Sequence, residues 1–418
     1  MKTKSSAYTW ILAASGLPGL SVPSLAVPGY RKRRKHMNRR HYYRVLALLA
    51  PVCLVAGQAR ADYVETKMIS NEPGVAPITD PNLIDPWGLA FSATSPLWVS
   101  NQGSGTATVY KITGTSSSAT LLTEGVANIG GAPPSDANGP TGQVSTAAPG
   151  TTTGATDFQV SGSKAAFIFD NLDSSISAWR GGLTSSVITA TVADASFTGL
   201  AIGNTSTGAA QIYAADQNSG NVDIFNSLWQ PVGALTDPSL PAGFTAFNVQ
   251  NINGTLFVTY ANPNEALGGV VDEFSTNGTM ITRLITDPTG THLQTPWGIA
   301  LAPAGWGQFG GDLLIGNNGG DGTINAYSLA GVQQGQITLD TDSPFSEQQL
   351  WGLTFGNGAS AGSPDILYFS AGYTADATNG LIGAISLPEP SAAVLGLLAI
   401  GQLAGGRRLR NCRRAARS

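Results

Sequence analysis

Four segments of the chain share one layout: an Asn or Asp, a short turn rich in Gly, Ser and Asn, then an alternating strand that ends in an aromatic ring. They read NQGSGTATVY at 101–110, DNLDSSISAW at 170–179, DQNSGNVDIF at 216–225 and NNGGDGTINAY at 317–327. The opening residue and the ring are nine positions apart in the first three copies and ten in the last, where one extra glycine enters. Such recurrence marks a repeat architecture, in which one small unit is copied because no single copy can bury its own apolar face.

The repeat extends upstream. A Gly-centred apolar strand precedes each segment: DPWGLAFS at 85–92, FTGLAIG at 197–203, TPWGIALA at 295–302 and LWGLTFG at 350–356. Two divergent copies, TDFQVSG from Thr156 and AFNVQNI from Ala246, bring the set to six. A second strand follows each of them (LWVSN, AAFIFD, QIYAAD, TLFVTYA, DLLIGN and ILYFSA), rich in β-branched and aromatic residues and bounded by turn formers. Six units across residues 62–387 allow about 54 residues each, enough for four short antiparallel strands. The expected fold is therefore an all-β, six-bladed β-propeller, since a sandwich would not repeat its motif six times. The last unit lacks an outer strand after LIGAIS, while YVETKMIS at 63–70 is a strand without a unit. Pairing the two closes the ring and hides two open sheet edges.

The unit resembles an NHL repeat, a P-x-G-I-A-V strand followed by Y-V-A-D and a turn into R-I-x-x-F; here Thr198-Gly199-Leu200-Ala201-Ile202 precedes YAADQNSGNVDIF. The resemblance implies an NHL/TolB-like propeller. Over its whole body the chain also resembles an uncharacterised family of secreted six-bladed propellers. That likeness rests on TDPNLIDPWGLAF at 79–91, PAGFTAFNVQNINGTLFVTYA at 241–261, TPWGIALAPAGWGQFGGDLLIGNNGGDGTINAY at 295–327 and LWGLTFGNG at 350–358. It implies the fold and no activity.

Charge narrows the partners. Charged residues make up 11% of the chain, and of its 26 Asp and Glu all but Glu389 fall in residues 62–387. That body holds only five bases, Lys67, Lys111, Lys164, Arg180 and Arg283, for a net charge of −20. It would repel nucleic acid and anionic membrane, leaving cations, neutral glycans and other proteins as partners.

The two ends read as addresses. From Met37, MNRRHYYR supplies a basic segment, VLALLAPVCLVAG an apolar one, and Ala59-Arg60-Ala61 an A-x-A cleavage site, so residues 37–61 are expected to be a signal peptide. Residues 1–36 then belong to a start codon set too early, with Met37 the first residue, or to a longer leader. At the other end, residues 388–418 open with Pro388-Glu389-Pro390, continue with the apolar run AAVLGLLAIGQLAGG and finish with RRLRNCRRAARS. This resembles the PEP-CTERM sorting signal. The resemblance implies a short membrane helix and trimming near Pro-Glu-Pro by an exosortase-type peptidase in an exopolysaccharide-producing bacterium; a plain C-terminal anchor shares the same physics. With Cys53 in the leader and Cys412 in the tail, the mature body has no cysteine and must be held by its core and its closure.

Catalytic signatures are sparse. The body has one histidine, His292, too few for a usual zinc site, and no G-x-S-x-G or phosphate-binding loop accompanies it. Two constellations remain. Asn101, Asp170, Asp216 and Asn317 form an oxygen-rich set in which Asp170 and Asp216 are candidate calcium ligands, although Asx residues at a turn start commonly cap their own backbone. Trp87, Trp297 and Trp351 each precede the glycine of a first strand, and first strands line a propeller channel. They would stand at one channel mouth beside Asp85, Asp157 and Asn248, as a platform for sugar faces, or would pack between blades. The expected role is that of an exported surface or matrix module binding an exopolysaccharide or a surface protein, without a cofactor. The alternative, a calcium-dependent hydrolase or lactonase, requires Asp85, Asp157 and Asn248 to converge on one ion.

Overall fold

The computed structural model describes residues 63–113, 119–121, 127–129, 139–264, 268–374 and 378–388. The signal segment with Ala59 and Ala61, and the tail from Glu389 and Pro390 onward, lie outside them; Pro388 is exposed just beyond the last strand. Among the described residues no helix is long and apolar enough to cross a membrane, and the expected C-terminal membrane helix falls outside those residues.

Six sheets of antiparallel strands, the last extended by a short parallel pairing of Ile78–Thr79 with Val64–Ser70, make a six-bladed propeller. The first, innermost strands are Pro86–Ala90, Pro140–Ser145, Phe197–Asn204, Thr245–Ile252, Pro296–Leu301 and Leu350–Phe355. Those of blades 1 and 5 are buried along most of their length and read as apolar runs, whereas an outermost strand such as Val187–Thr191 is largely exposed. The cores lie between blades. Phe197, Ile212 and Phe225 of blade 3, for instance, pack with Ile168 and Ile176 of blade 2. No blade could bury these side chains alone, which is the physical basis of the repeat.

Ring closure follows the expected pairing. Val64–Ser70 adds to the last blade as its outer strand, antiparallel to Leu381–Ser386, with Val64 opposite Ser386 and Ser70 opposite Leu381. The residue before it anchors the chain on blade 5. Tyr63 is fully buried, tilts against Trp306 at 4.4 Å, stacks with Phe309 at 6.1 Å and donates its hydroxyl to the Trp306 carbonyl at 3.3 Å.

One expected strand is placed differently. The first strand of blade 2 is PTGQVS at Pro140–Ser145, and TDFQVSG instead enters a small hairpin, Gln159–Val160 with Ser163–Lys164, on an insertion. Its alternation of apolar residues is real, but Phe158 and Val160 are buried against blade 3, where Phe158 meets Trp229 at 5.2 Å. Asp157 therefore does not stand at the channel mouth. It is half-buried on this insertion, where a carboxylate oxygen accepts from the Gly154 N–H at 2.6 Å.

The glycines of the first strands answer to the ring. A Cβ on Gly298 would lie 2.4 Å from the Trp351 carbonyl oxygen of the next blade, and one on Gly352 2.7 Å from that of Trp87. Adjacent inner strands touch backbone to backbone at these points, so only glycine fits.

Candidate functional site

In blades 1, 5 and 6 the ladder between first and second strand is interrupted at Trp-Gly: pairing jumps from Pro86 to Leu89, from Pro296 to Ile299 and from Leu350 to Leu353. Such a break re-aims side chains, and here it accompanies three indoles that meet one another. The residue two places before each Trp has a left-handed backbone, with φ of 46° at Asp85, 53° at Thr295 and 52° at Gln349. For the β-branched Thr295 this is a strained conformation.

Trp87, Trp297 and Trp351 thus form one cluster with Phe247, which holds the same position in blade 4. Trp87 and Trp351 stack with centroids 3.4 Å apart, and Trp297 meets both edge-on at 6.3 and 5.9 Å. Trp297 reaches from blade 5 to blade 3, where its Nε1 donates to the Thr198 carbonyl at 2.8 Å. The indoles are 8%, 5% and 6% exposed, so they plug the channel. The rings pack on one another across blades around the axis, with Trp87 of blade 1 stacked on Trp351 of blade 6, and do not stand apart as an open platform for a sugar.

Asp85 and Asn248 are committed to this plug. Asp85 Oδ2 accepts from Trp87 Nε1 at 2.9 Å and its Oδ1 from Trp351 Nε1 at 3.1 Å. Asn248, in the place other blades give to glycine, donates from Nδ2 to the Trp297 carbonyl at 2.7 Å. With Asp157 on its insertion, Asp85, Asp157 and Asn248 do not converge as a channel metal would require. Among the described residues no three His, Cys, Asp or Glu side chains are grouped to hold a metal ion.

Above the plug, at the end where the first strands begin, lies a cleft of about 520 Å³. Asp85, Trp87 and Trp351 line it together with Gln102, Asn318 and Gln349. Two of these lining residues hold buried atoms with no hydrogen-bond partner among the described residues, the donor Asn318 Nδ2 and the acceptor Gln349 Oε1. Sequence reasoning missed all three amides. The repeat holds their signal, because Gln102 and Asn318 directly follow the turn-opening Asn101 and Asn317, and Gln349 holds the position of Asp85. The turns and connections at this end bear carboxylates such as Asp173, Asp194, Asp216, Asp287 and Asp321, and no Lys or Arg among the described residues.

The oxygen-rich set divides by role. Asn101 Nδ2 donates to Thr106 and Thr108 at 3.1 Å, Asp216 Oδ1 accepts from the N–H of Ser196 and Asn218 at 2.8 and 3.0 Å, and Asn317 bonds Gln294, His292 and Thr323. These side chains cap turns. In blade 2 the capping residue is Asn171, which donates to Ser175 and Ser177, and Asp170 lies one residue out of register. A one-residue step along a strand reverses the face. Asp170 is accordingly buried at the seam between blades, where it accepts from Thr141 Oγ1 at 2.9 Å and from the backbone of Gly142 and Gly199. His292 is exposed, with Nδ1 3.4 Å from Gln333 Nε2.

No known protein-family profile matches the chain. Two proteins of Acanthamoeba polyphaga mimivirus, both described as uncharacterized, are similar to it. R648 is 28% identical over 306 residues, covering 68% of this chain and 72% of the relative. L690 is 26% identical over 352 residues, covering 78% and 87%. Similar solved structures include a crystal structure of a nidogen/laminin complex (14% identity, TM-score 0.42, 64% of this chain and 83% of that chain). A protein of unknown function from Bacteroides caccae is another (12% identity, TM-score 0.32, 47% and 61%).

Proposed function

We propose that this protein is an exported binding propeller that holds a neutral glycan of the producer's exopolysaccharide in the cleft where its first strands begin. The observation that carries the reading is the pair of unused polar atoms, Asn318 Nδ2 and Gln349 Oε1, on two residues that line a cleft whose floor is fixed by the plug. A buried donor or acceptor without a partner costs about 1–3 kcal/mol. A sugar hydroxyl both donates and accepts, so neighbouring hydroxyls would satisfy both atoms, and a neutral polymer meets no repulsion from the surrounding carboxylates.

The route to that polymer is the pair of terminal addresses. An NHL-like body released by cleavage after Ala61 would be sorted through Pro388-Glu389-Pro390 by an exosortase-type peptidase and delivered to the cell surface or matrix. In that host, replacing Pro388, Glu389 and Pro390 by Ala is expected to leave the C-terminal tail attached. An identical mass for the cell-surface forms of variant and wild type would remove the sorting step from the account. For the glycan, the wild-type chain should be retained on the producer's own exopolysaccharide and an Asn318→Leu, Gln349→Leu variant should elute early; equal retention would sink the reading.

A further inference from the structure

The first strands also end around the axis, and there the channel opens into a second cup. A constriction of about 20 Å³, lined by Asn248, Trp297 and the first-strand glycines, lies between the two ends. The second cup holds about 580 Å³ and is walled by Phe91, Ile252, Leu301 and Phe355, each at or just past the end of a first strand. A deeper hollow of about 220 Å³ shares Phe91, Gln250 and Thr354 with it and runs inward to Gln143. No residue lining either hollow carries a formal charge, in a body where carboxylates outnumber bases 25 to five.

Gln143 supplies the polar landmark. Its Nε2 donates to the carbonyls of Gly88 and Trp98 at 2.8 and 2.7 Å, which fixes the amide orientation because both partners are acceptors. Its Oε1 is then left buried and without a partner among the described residues, on a side chain only 5% exposed. Gln250 lines the constriction and both hollows. The route inward is therefore uncharged, walled by apolar side chains interleaved with amides and hydroxyls such as Asn251, Thr354 and Ser145, and it reaches the residue that holds the unused acceptor.

We propose that this cup binds a small neutral molecule with an apolar body and one hydroxyl or amide donor. The donor seats on Gln143 Oε1, and the body lies against Phe91, Leu301 and Phe355. Ligands of this kind lie against apolar and aromatic walls of a concave pocket and are oriented by its polar groups. The site is separate from the glycan cleft and does not depend on it.

The test is calorimetric titration of the full chain with 2-naphthol at neutral pH, beside 2-methoxynaphthalene, which has no donor, and 2-naphthoate, which is an anion. The expected result is saturable binding of 2-naphthol, about tenfold weaker binding of the ether for the loss of one hydrogen bond, and at least as large a loss for the anion. Leu301→Trp, which adds bulk to the wall where the ligand body would lie, is expected to weaken binding at least tenfold. No saturable binding of 2-naphthol, equal affinity for the ether, or wild-type affinity in a folded Leu301→Trp variant would each overturn the proposal. The ligand series on the wild-type chain decides the matter even where the variant does not fold.

Discussion

Trp87 and Trp351 stack with ring centroids 3.4 Å apart and an interplanar angle of 17°, and both donate their indole N–H to the one carboxylate of Asp85. The two rings come from blades 1 and 6, the pair that meets where the ring closes. Asp85 and its two indoles therefore join first and last blades at the axis, as Val64–Ser70 joins the chain's ends at the periphery. Hydrogen bonds donated to a buried carboxylate are among the stronger polar contacts.

Asp85→Asn keeps the shape of the side chain but turns an amide NH2 toward one indole N–H. We expect a loss of about 2 kcal/mol, the cost of a buried donor without a partner, read as a lower urea midpoint with an unchanged m-value. An unaltered midpoint would mean that the indoles are held by stacking alone.

Tyr63→Ala tests closure at the periphery. The ring and hydroxyl are fully buried between Trp306 and Phe309, and truncating a buried aromatic costs about 3–5 kcal/mol. Removing residues 63–70 altogether would expose the edge of Leu381–Ser386, and concentration-dependent oligomers are expected by size-exclusion chromatography. A monomer of wild-type thermal stability would show that the last blade does not need its added strand.

Asp170 gives stability a pH dependence. Burial pushes its carboxyl up to about 7, against the bonds it accepts from Thr141, Gly142 and Gly199. Because the folded value lies above the unfolded one of about 3.9, this contribution is full below about pH 4 and is lost as pH rises through about 7. Asp170→Asn keeps an oxygen for these donors and removes the charge. Unfolding measured between pH 4 and 8 should show a wild-type decline that the variant reduces by about 4 kcal/mol. Glu65, also raised to about 7 by burial and by the neighbouring Glu347, retains its share of the slope in the variant. Parallel pH profiles for the two proteins would contradict the assignment.

The fold was legible because a propeller writes its unit several times over. The strand YVETKMIS without a unit, and a last unit without an outer strand after LIGAIS, announced closure, since each supplies what the other lacks. Blade 2 was harder: PTGQVS has Thr141 where four blades have an aromatic ring, and the buried alternation of Phe158 and Val160 imitated an inner strand. Asp170 was aligned one place from its neighbour Asn171 because the blade 2 turn is shorter, and a single step changes which face a side chain takes. The tryptophans' place before the first-strand glycines points toward the axis, yet a sequence cannot say whether rings around an axis leave a gap or fill it. Asn318 and Gln349 escaped notice because their significance lies in hydrogen bonds they lack, which only the packed structure reveals.

The most direct test is isothermal titration of oligosaccharides released from the producer's own exopolysaccharide into the wild-type chain, Asn318→Leu and Gln349→Leu. The account predicts saturable binding by the wild type and about tenfold weaker binding by each variant, the effect of losing one hydrogen bond. No binding by the wild type, or the same affinity in all three proteins, would contradict it.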